Sequence, residues 1–232
     1  ENDKMSHITQ AKRIVVKVGT STLTYENGKP NLRRIEALCK VLSDLKNSGR
    51  EVVLVTSGAI VVGMGKLGLR ERPAETERKQ AVAAVGQCEL MFIYDKFFDE
   101  YNQNVAQVLL SSDVLNNQAT RKNVENTFRE LLEMGIIPVV NENDTVAVDE
   151  LVGAKIGDND TLSAVVAILT SADLLVILTD IDGLYDANPK ASADARRIPY
   201  VAEITPEVRA LAGGAGTSRG TGGMFTKVSA AA

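Results

Sequence analysis

The sequence predicts an α/β fold built on a mainly parallel sheet, and three observations carry that expectation. Short apolar runs alternate with segments of helical periodicity in a βαβαβ rhythm with short connections. Aromatic residues make up 4% of the 232 and Trp is absent, so the core rests on Val, Leu, Ile and Ala, as suits buried parallel strands under helices. Small or polar residues follow the strands directly, where open α/β sheets bind ligands.

Taken in order, Arg13–Gly19 (RIVVKVG) is an apolar strand interrupted by Lys17 and ended by Gly19-Thr20-Ser21. Asn27-Gly28 marks a turn. Leu32, Ile35, Leu38, Cys39, Leu42 and Leu45 recur at helical spacing, with Gly49 just past the end. Glu51–Thr56 is a buried-strand pattern running into Ser57-Gly58-Ala59. The stretch from Gly63 to Gly68 reads as a flexible lid or interface turn. Glu75–Tyr101 is a long helix with a bend near Gly86, and its aromatic end belongs to the core or to a subunit contact.

Val105–Leu110 is a strand closed by Ser111-Ser112-Asp113. Ala119–Met134 is a helix stopped by Gly135, and Ile136–Val140 is the next strand, followed by Asn141-Glu142-Asn143-Asp144. Thr145–Ile156 forms a short hairpin or excursion. Asp158-Asn159-Asp160 opens a helix from about Thr161 to Thr170, and Leu174–Leu178 is a strand ending in Thr179-Asp180. Thr205–Leu211 is a short helix; the Gly-rich stretch Ala212–Gly223 then feeds Met224–Ala232, a last helix carrying Lys227.

A net charge of -4 argues against a general nucleic-acid-binding surface. No run approaches the roughly 18 apolar residues of a membrane span. Residues 1–12 are a tail without the apolar centre of a signal peptide, the part ahead of Met5 being read as extraneous. Cys39 and Cys88, each inside a helical pattern, are expected to be buried or half-buried thiols of a cytoplasmic protein.

Four places can carry chemistry. Lys17 beside Gly19-Thr20-Ser21 can hold phosphate oxygens or simply face solvent. Ser57 stands in the crevice beyond a strand, or caps the helix that follows. Asn159 or Asp160 is placed to cap a helix, yet two carboxylates around an amide exceed what a cap requires. A Gly-rich loop leading to a helical lysine suits a polyphosphate, through N–H groups, helix dipole and a mobile cation.

In combination and order, KVGTS at 17–21, VTSGAI at 55–60, RPAETERKQAVAAVGQCELM at 72–91, PVVNENDTV at 138–146, GDNDTLSA at 157–164, LTDIDGLYDANP at 178–189 and GTGGMFTK at 220–227 resemble the glutamate 5-kinases of the amino acid kinase family. The resemblance implies a three-layer αβα sandwich over residues 13–232, with the last helix and strands of the family domain, and the PUA domain that many members carry, missing from this sequence. It implies transfer of the ATP γ-phosphoryl group to the side-chain carboxylate of L-glutamate, the first step of proline synthesis, with Mg²⁺ held mainly through the nucleotide phosphates. It puts glutamate on Ser57, Ala59, Asp144 and Asn159. It puts the nucleotide on Lys17, Gly19, Thr179, Asp180, Thr221, Gly222, Gly223, Met224, Phe225, Thr226 and Lys227. Lys17 and Lys227 are the implied catalytic lysines and Asp160 the aspartate that organises them, with no direct protein ligand named for the metal. Feedback by proline and a homo-oligomer, dimer or tetramer, are also implied. Two rival readings stand beside this one: another amino acid kinase, acting on acetylglutamate, aspartate, carbamate or a nucleoside monophosphate, and a silent nucleotide-sensing module.

Overall fold

Along β1 (Arg13–Val18) alternate side chains enter two different cores. Ile14, Val16 and Val18 pack on one side of the sheet, while Val15 packs on the other. β2 (Glu51–Val55) repeats the split, Val52 and Leu54 against Val53 and Val55. Both faces are therefore buried under helices, which is why these strands are apolar without a polar alternation. The computed structural model describes residues 8–111, 113–146, 159–189, 192, 194–212 and 223–232.

The five-stranded sheet is parallel throughout, in the order β3-β4-β2-β1-β5, with β3 Val105–Leu110, β4 Ile137–Glu142 and β5 Leu174–Leu178. The register sets Lys17 between Val55 of β2 and Ile177 of β5. A short antiparallel pair, β6 (Leu184–Tyr185) and β7 (Arg197–Ile198), lies apart from it.

One helical layer holds α2 (Leu32–Asn47), α3 (Ala59–Leu67) and α4 (Thr76–Asp99), which supply Ile35, Cys39, Leu42, Val62, Leu90, Tyr94 and Phe98 to the first core. The second layer holds α6 (Gln118–Glu133) and α7 (Asn159–Leu169), whose Phe128, Leu132, Leu162, Val165, Val166 and Leu169 fill the other. The expected αβα sandwich is thus present. Asn31 and Asn117 cap α2 and α6 by accepting from first-turn N–H groups, so these helices start where a short polar side chain can satisfy them. Two single-turn helices, α1 (Thr20–Leu23) and α5 (Asp113–Asn116), are too short to leave a periodic signal. α8 (Pro206–Ala212) and α9 (Met224–Ala231) complete the order.

Two expectations give way here. Gly63 and Gly65 lie inside α3 and form no lid or turn. α4 runs unbroken through Gly86, which serves close approach instead of a bend. A Cβ on Gly86 would lie 1.7 Å from the Ala59 carbonyl oxygen, and one on Gly63 would lie 2.1 Å from that of Val82. The two helices touch backbone to backbone, and only glycine permits it. At the far end of α4, Tyr94 and Phe98 are core, while Phe92 is 64% exposed. Cys39 is buried, and burial pushes its thiol up to about 12; Cys88 is exposed, contrary to expectation, because its position falls on the outer face of α4.

Candidate active site

The two-residue period of β1 aims Lys17. Lying two residues after Val15, its side chain leaves the sheet on the α7 side, where the first turn of α7 waits. There Lys17 Nζ meets Asp160 Oδ1 at 2.6 Å. The other carboxylate oxygen, Oδ2, accepts from Lys227 Nζ at 3.0 Å and from Thr226 Oγ1 at 2.8 Å. Both belong to α9, which packs on α7 with Val228 buried. Lys17, Asp160 and Lys227, which lie 143 and 67 positions apart in sequence (160 − 17 and 227 − 160), therefore form one buried cluster.

Its electrostatics follow from burial. Asp160 has no exposed surface, Lys17 is 7% exposed, and the Lys227 side chain is 15% exposed. Burial is the largest single influence on the Asp160 carboxyl and pushes it up. Hydrogen bonding and charge from Lys17, then hydrogen bonds from Thr226 and Lys227, together outweigh this and hold it below its ordinary 3.8. Asp160 is thus an ionised anchor for two ammonium groups. It does not act as the helix cap that its position suggested. Gly19 starts α1 beside this cluster; a Cβ there would lie 3.6 Å from Lys17 Nζ.

A second group gathers at the carboxyl ends of β2 and β4. Asn141 lies within β4, not beyond it, and is 2% exposed. Asn159 Nδ2 donates to the Thr56 carbonyl at 2.6 Å and to Asn141 Oδ1 at 3.2 Å. Asn141 Nδ2 donates in turn to Gln87 Oε1 of α4 at 2.8 Å. Thr56 Oγ1 and the Tyr94 hydroxyl share a 2.8 Å bond beneath, and burial raises the Tyr94 phenol well above its usual range. Asp144 is a half-buried turn residue just after β4.

Ser57 follows β2 directly, and Gly58 adopts φ 94° to turn the chain into α3. A side chain there would be strained and would press on Thr20 at 3.2 Å. Ser57 Oγ donates to the Val18 carbonyl at 3.1 Å and pairs with Thr20 Oγ1 at 3.2 Å. With its single proton engaged, Ser57 offers lone pairs, so donation to a carboxylate is not its arrangement here. Ala59 is 2% exposed beneath Gly86 and can meet a ligand only through its backbone.

The remaining expected residues are less tightly gathered. Thr179 Oγ1 donates to Asp180 Oδ1 at 3.3 Å at the end of β5. Gly223 begins α9, its carbonyl oxygen 2.7 Å from Thr226 Oγ1; Met224 is half-buried and Phe225 is 54% exposed. Thr221 and Gly222, like Asp158 and most of the 145–156 excursion, lie outside the described residues. A hollow of about 330 Å³ adjoins Lys227, lined by Leu184, Val201, Ile204, Val208 and Val228. Sequence reasoning left Gln87, Asn141 and Thr20 without a role. Each lies inside a stretch already singled out, and a buried polar side chain is the signal that only the fold discloses.

The sequence pattern of the amino acid kinase family matches residues 12–232. The glutamate 5-kinase of Clostridium perfringens is 60% identical over 225 residues, covering 97% of this chain and 84% of that protein. The glutamate 5-kinase of Listeria innocua is also 60% identical, covering 97% and 82%. That of Moorella thermoacetica is 56% identical over 97% of this chain and 58% of its own length. Among solved structures, UMP kinase from Ureaplasma parvum superposes with a TM-score of 0.55 at 16% identity, over 81% of this chain and 74% of the other, a likeness of fold alone. On the extent of the family pattern and the identity of these relatives, the chain belongs to the amino acid kinase family.

Proposed function

We propose that the protein transfers the γ-phosphoryl group of ATP to the side-chain carboxylate of L-glutamate, giving ADP and L-glutamyl 5-phosphate, the first step of proline synthesis. The observation that carries this reading is the Lys17–Asp160–Lys227 cluster at the carboxyl end of the sheet, in a chain 60% identical to glutamate 5-kinases.

The chemistry asks for such a cluster. A carboxylate must approach a phosphoryl group already ringed by negative oxygens, so repulsion is the first obstacle. Lys17 comes from β1 and Lys227 from α9, and one buried carboxylate fixes both ammonium groups before substrate arrives. Charges preorganised in this way cost little reorganisation as the transition state forms. Glutamate is already ionised near neutral pH, so no general base is required, and Asp160 acts as a positioning residue. Both Asp160 oxygens face protein donors, which fits a metal held chiefly by phosphate oxygens. Mg²⁺, held through those phosphates, would supply further charge neutralisation. The polyphosphate lies along Gly19 and the start of α9, with Thr179 and Asp180 alongside, and the nucleobase fits the apolar hollow beside Lys227.

Ser57, Asp144 and Asn159 form the acceptor end. Ser57 Oγ and Asn159 Oδ1 are acceptors by the bonds described above, and with Asp144 they suit the substrate ammonium. Proline shares that ammonium and the α-carboxylate, so it competes for the same end; calorimetric titration of proline with and without saturating glutamate checks this. Ala81, Ala84, Cys88 and Phe92 leave an exposed stripe along α4 that suits contact with a second copy. Among the described residues no helix is long and apolar enough to cross a membrane. The test of the reading is coupled ADP release with ATP, Mg²⁺ and L-glutamate against acetylglutamate, aspartate, carbamate and UMP; preference for any of these over glutamate would overturn it.

A further inference from the structure

Resting on that reading, we infer that Gln87 determines acceptor specificity, its carboxamide donating to the α-carboxylate of the amino-acid substrate. The inference starts from a buried donor. Gln87 is 8% exposed, and its Nε2 finds no hydrogen-bond partner among the described residues. A buried amide left so is destabilising, and such groups mark where a ligand or water completes the set.

The direction of the network shows that this end is a donor. The backbone N–H of Glu142 donates to Asn141 Oδ1 at 2.9 Å, and a backbone N–H has no alternative role. That fixes which end of the Asn141 amide is oxygen, so its nitrogen must face Gln87. Gln87 then accepts through Oε1, and its buried NH₂ is the donor left without a partner. Asn159 is fixed independently, because its Nδ2 donates to the Thr56 backbone carbonyl. The group therefore holds a donor at Gln87 and acceptors at Asn159 and Ser57, matching a carboxylate and an ammonium on one carbon.

Placement decides which carboxylate. Asn141 lies on β4 and Lys17 on β1, with β2 between them. Two strand spacings put the β4 and β1 backbones about 9–10 Å apart, so Gln87 is anchored on a different strand from the phosphoryl-transfer lysine of β1. A short dicarboxylic amino acid bridges that gap with its reacting carboxylate at the lysines and its α-carboxylate at Gln87. The close approach at Gly86 sets α4 against the start of α3, and the next residue, Gln87, reaches Asn141 at the end of β4.

The experiment compares L-glutamate with its α-amide, in which the α-carboxylate alone is replaced, on the unaltered protein and on Gln87→Met and Gln87→Glu. Methionine removes the donor at similar length. The introduced glutamate keeps the acceptor for Asn141 while opposing a carboxylate. The unaltered protein is expected to prefer glutamate, and Gln87→Met to narrow that preference in kcat/KM by about tenfold or more, the scale of one hydrogen bond to a charged group. Gln87→Glu should reverse the preference toward the α-amide, with the ATP KM unchanged in both variants. Because the readout is a ratio on one preparation, it is independent of the fraction folded. A preference unchanged in both variants overturns the assignment of Gln87 and leaves the kinase reading standing. If the unaltered protein neither binds glutamate by titration calorimetry nor turns it over, both fall.

Discussion

Replacing Asp160 by Asn keeps the shape of the side chain and removes its charge, and the structure sets the size of two separate effects. The carboxylate has no exposed surface and faces ammonium groups at 2.6 and 3.0 Å. Removing one partner of a buried ion pair costs about 3–5 kcal/mol, because the remaining charge is stranded. Asn retains a hydrogen-bond acceptor, and the Lys227 side chain, 15% exposed, can turn toward solvent, so the lower end applies. For a chain of this size, about 3 kcal/mol lowers the melting temperature by about 6–12 °C. With the two lysines no longer fixed, kcat should fall by about a hundredfold or more. The measurements are calorimetric melting of the free protein and kcat at saturating ATP, Mg²⁺ and glutamate. A helix cap would tolerate Asn almost as well as Asp. Normal melting with kcat within about threefold of the unaltered protein would refute the reasoning. Acid melting adds an independent check. The folded carboxyl lies below its ordinary 3.8, so the unfolded chain binds more protons between the two values. The stability contributed by Asp160 is full above 3.8 and fades as pH falls through the folded value; the Asn variant should lack that component of the acid loss.

Three further outcomes are expected. Lys227→Ala should lower kcat by about a hundredfold while the glutamate Kd from calorimetry stays within about twofold, since a contact that strengthens in the transition state affects rate more than affinity. Asn159→Ala and Asp144→Ala should each raise the glutamate KM far more than the ATP KM; a selective rise in the ATP KM would assign them to the wrong substrate. Gly86→Ala should destabilise the fold by about 3 kcal/mol or more, because the new Cβ meets backbone atoms of α3 that no rotamer change can move. A melting temperature within about 2 °C of the parent would show that the helices separate cheaply.

What the sequence by itself determined is the local order. The strands Val105–Leu110 and Leu174–Leu178 match their apolar runs, and α2 and α6 match their helical periodicity to within a few residues. These patterns are legible because burial on one stripe or on both faces of a strand imposes a period on nearest neighbours. The sites after the strands were legible too, as polar residues where a turn alone would not demand them. Only the tertiary structure decided what those residues do. Gly63 and Gly65 look like a loop in one dimension, yet both lie inside α3, where their bare backbone admits Val82 of α4 and the turn at Gly28. Asp160 looks like a cap until β1 and α9 bring two lysines to it. Gln87 and Asn141, 54 positions apart, acquire a direction only through the backbone N–H of Glu142. Periodicity constrains a residue against its own element, whereas charge pairing and hydrogen-bond direction depend on atoms that distant segments deliver.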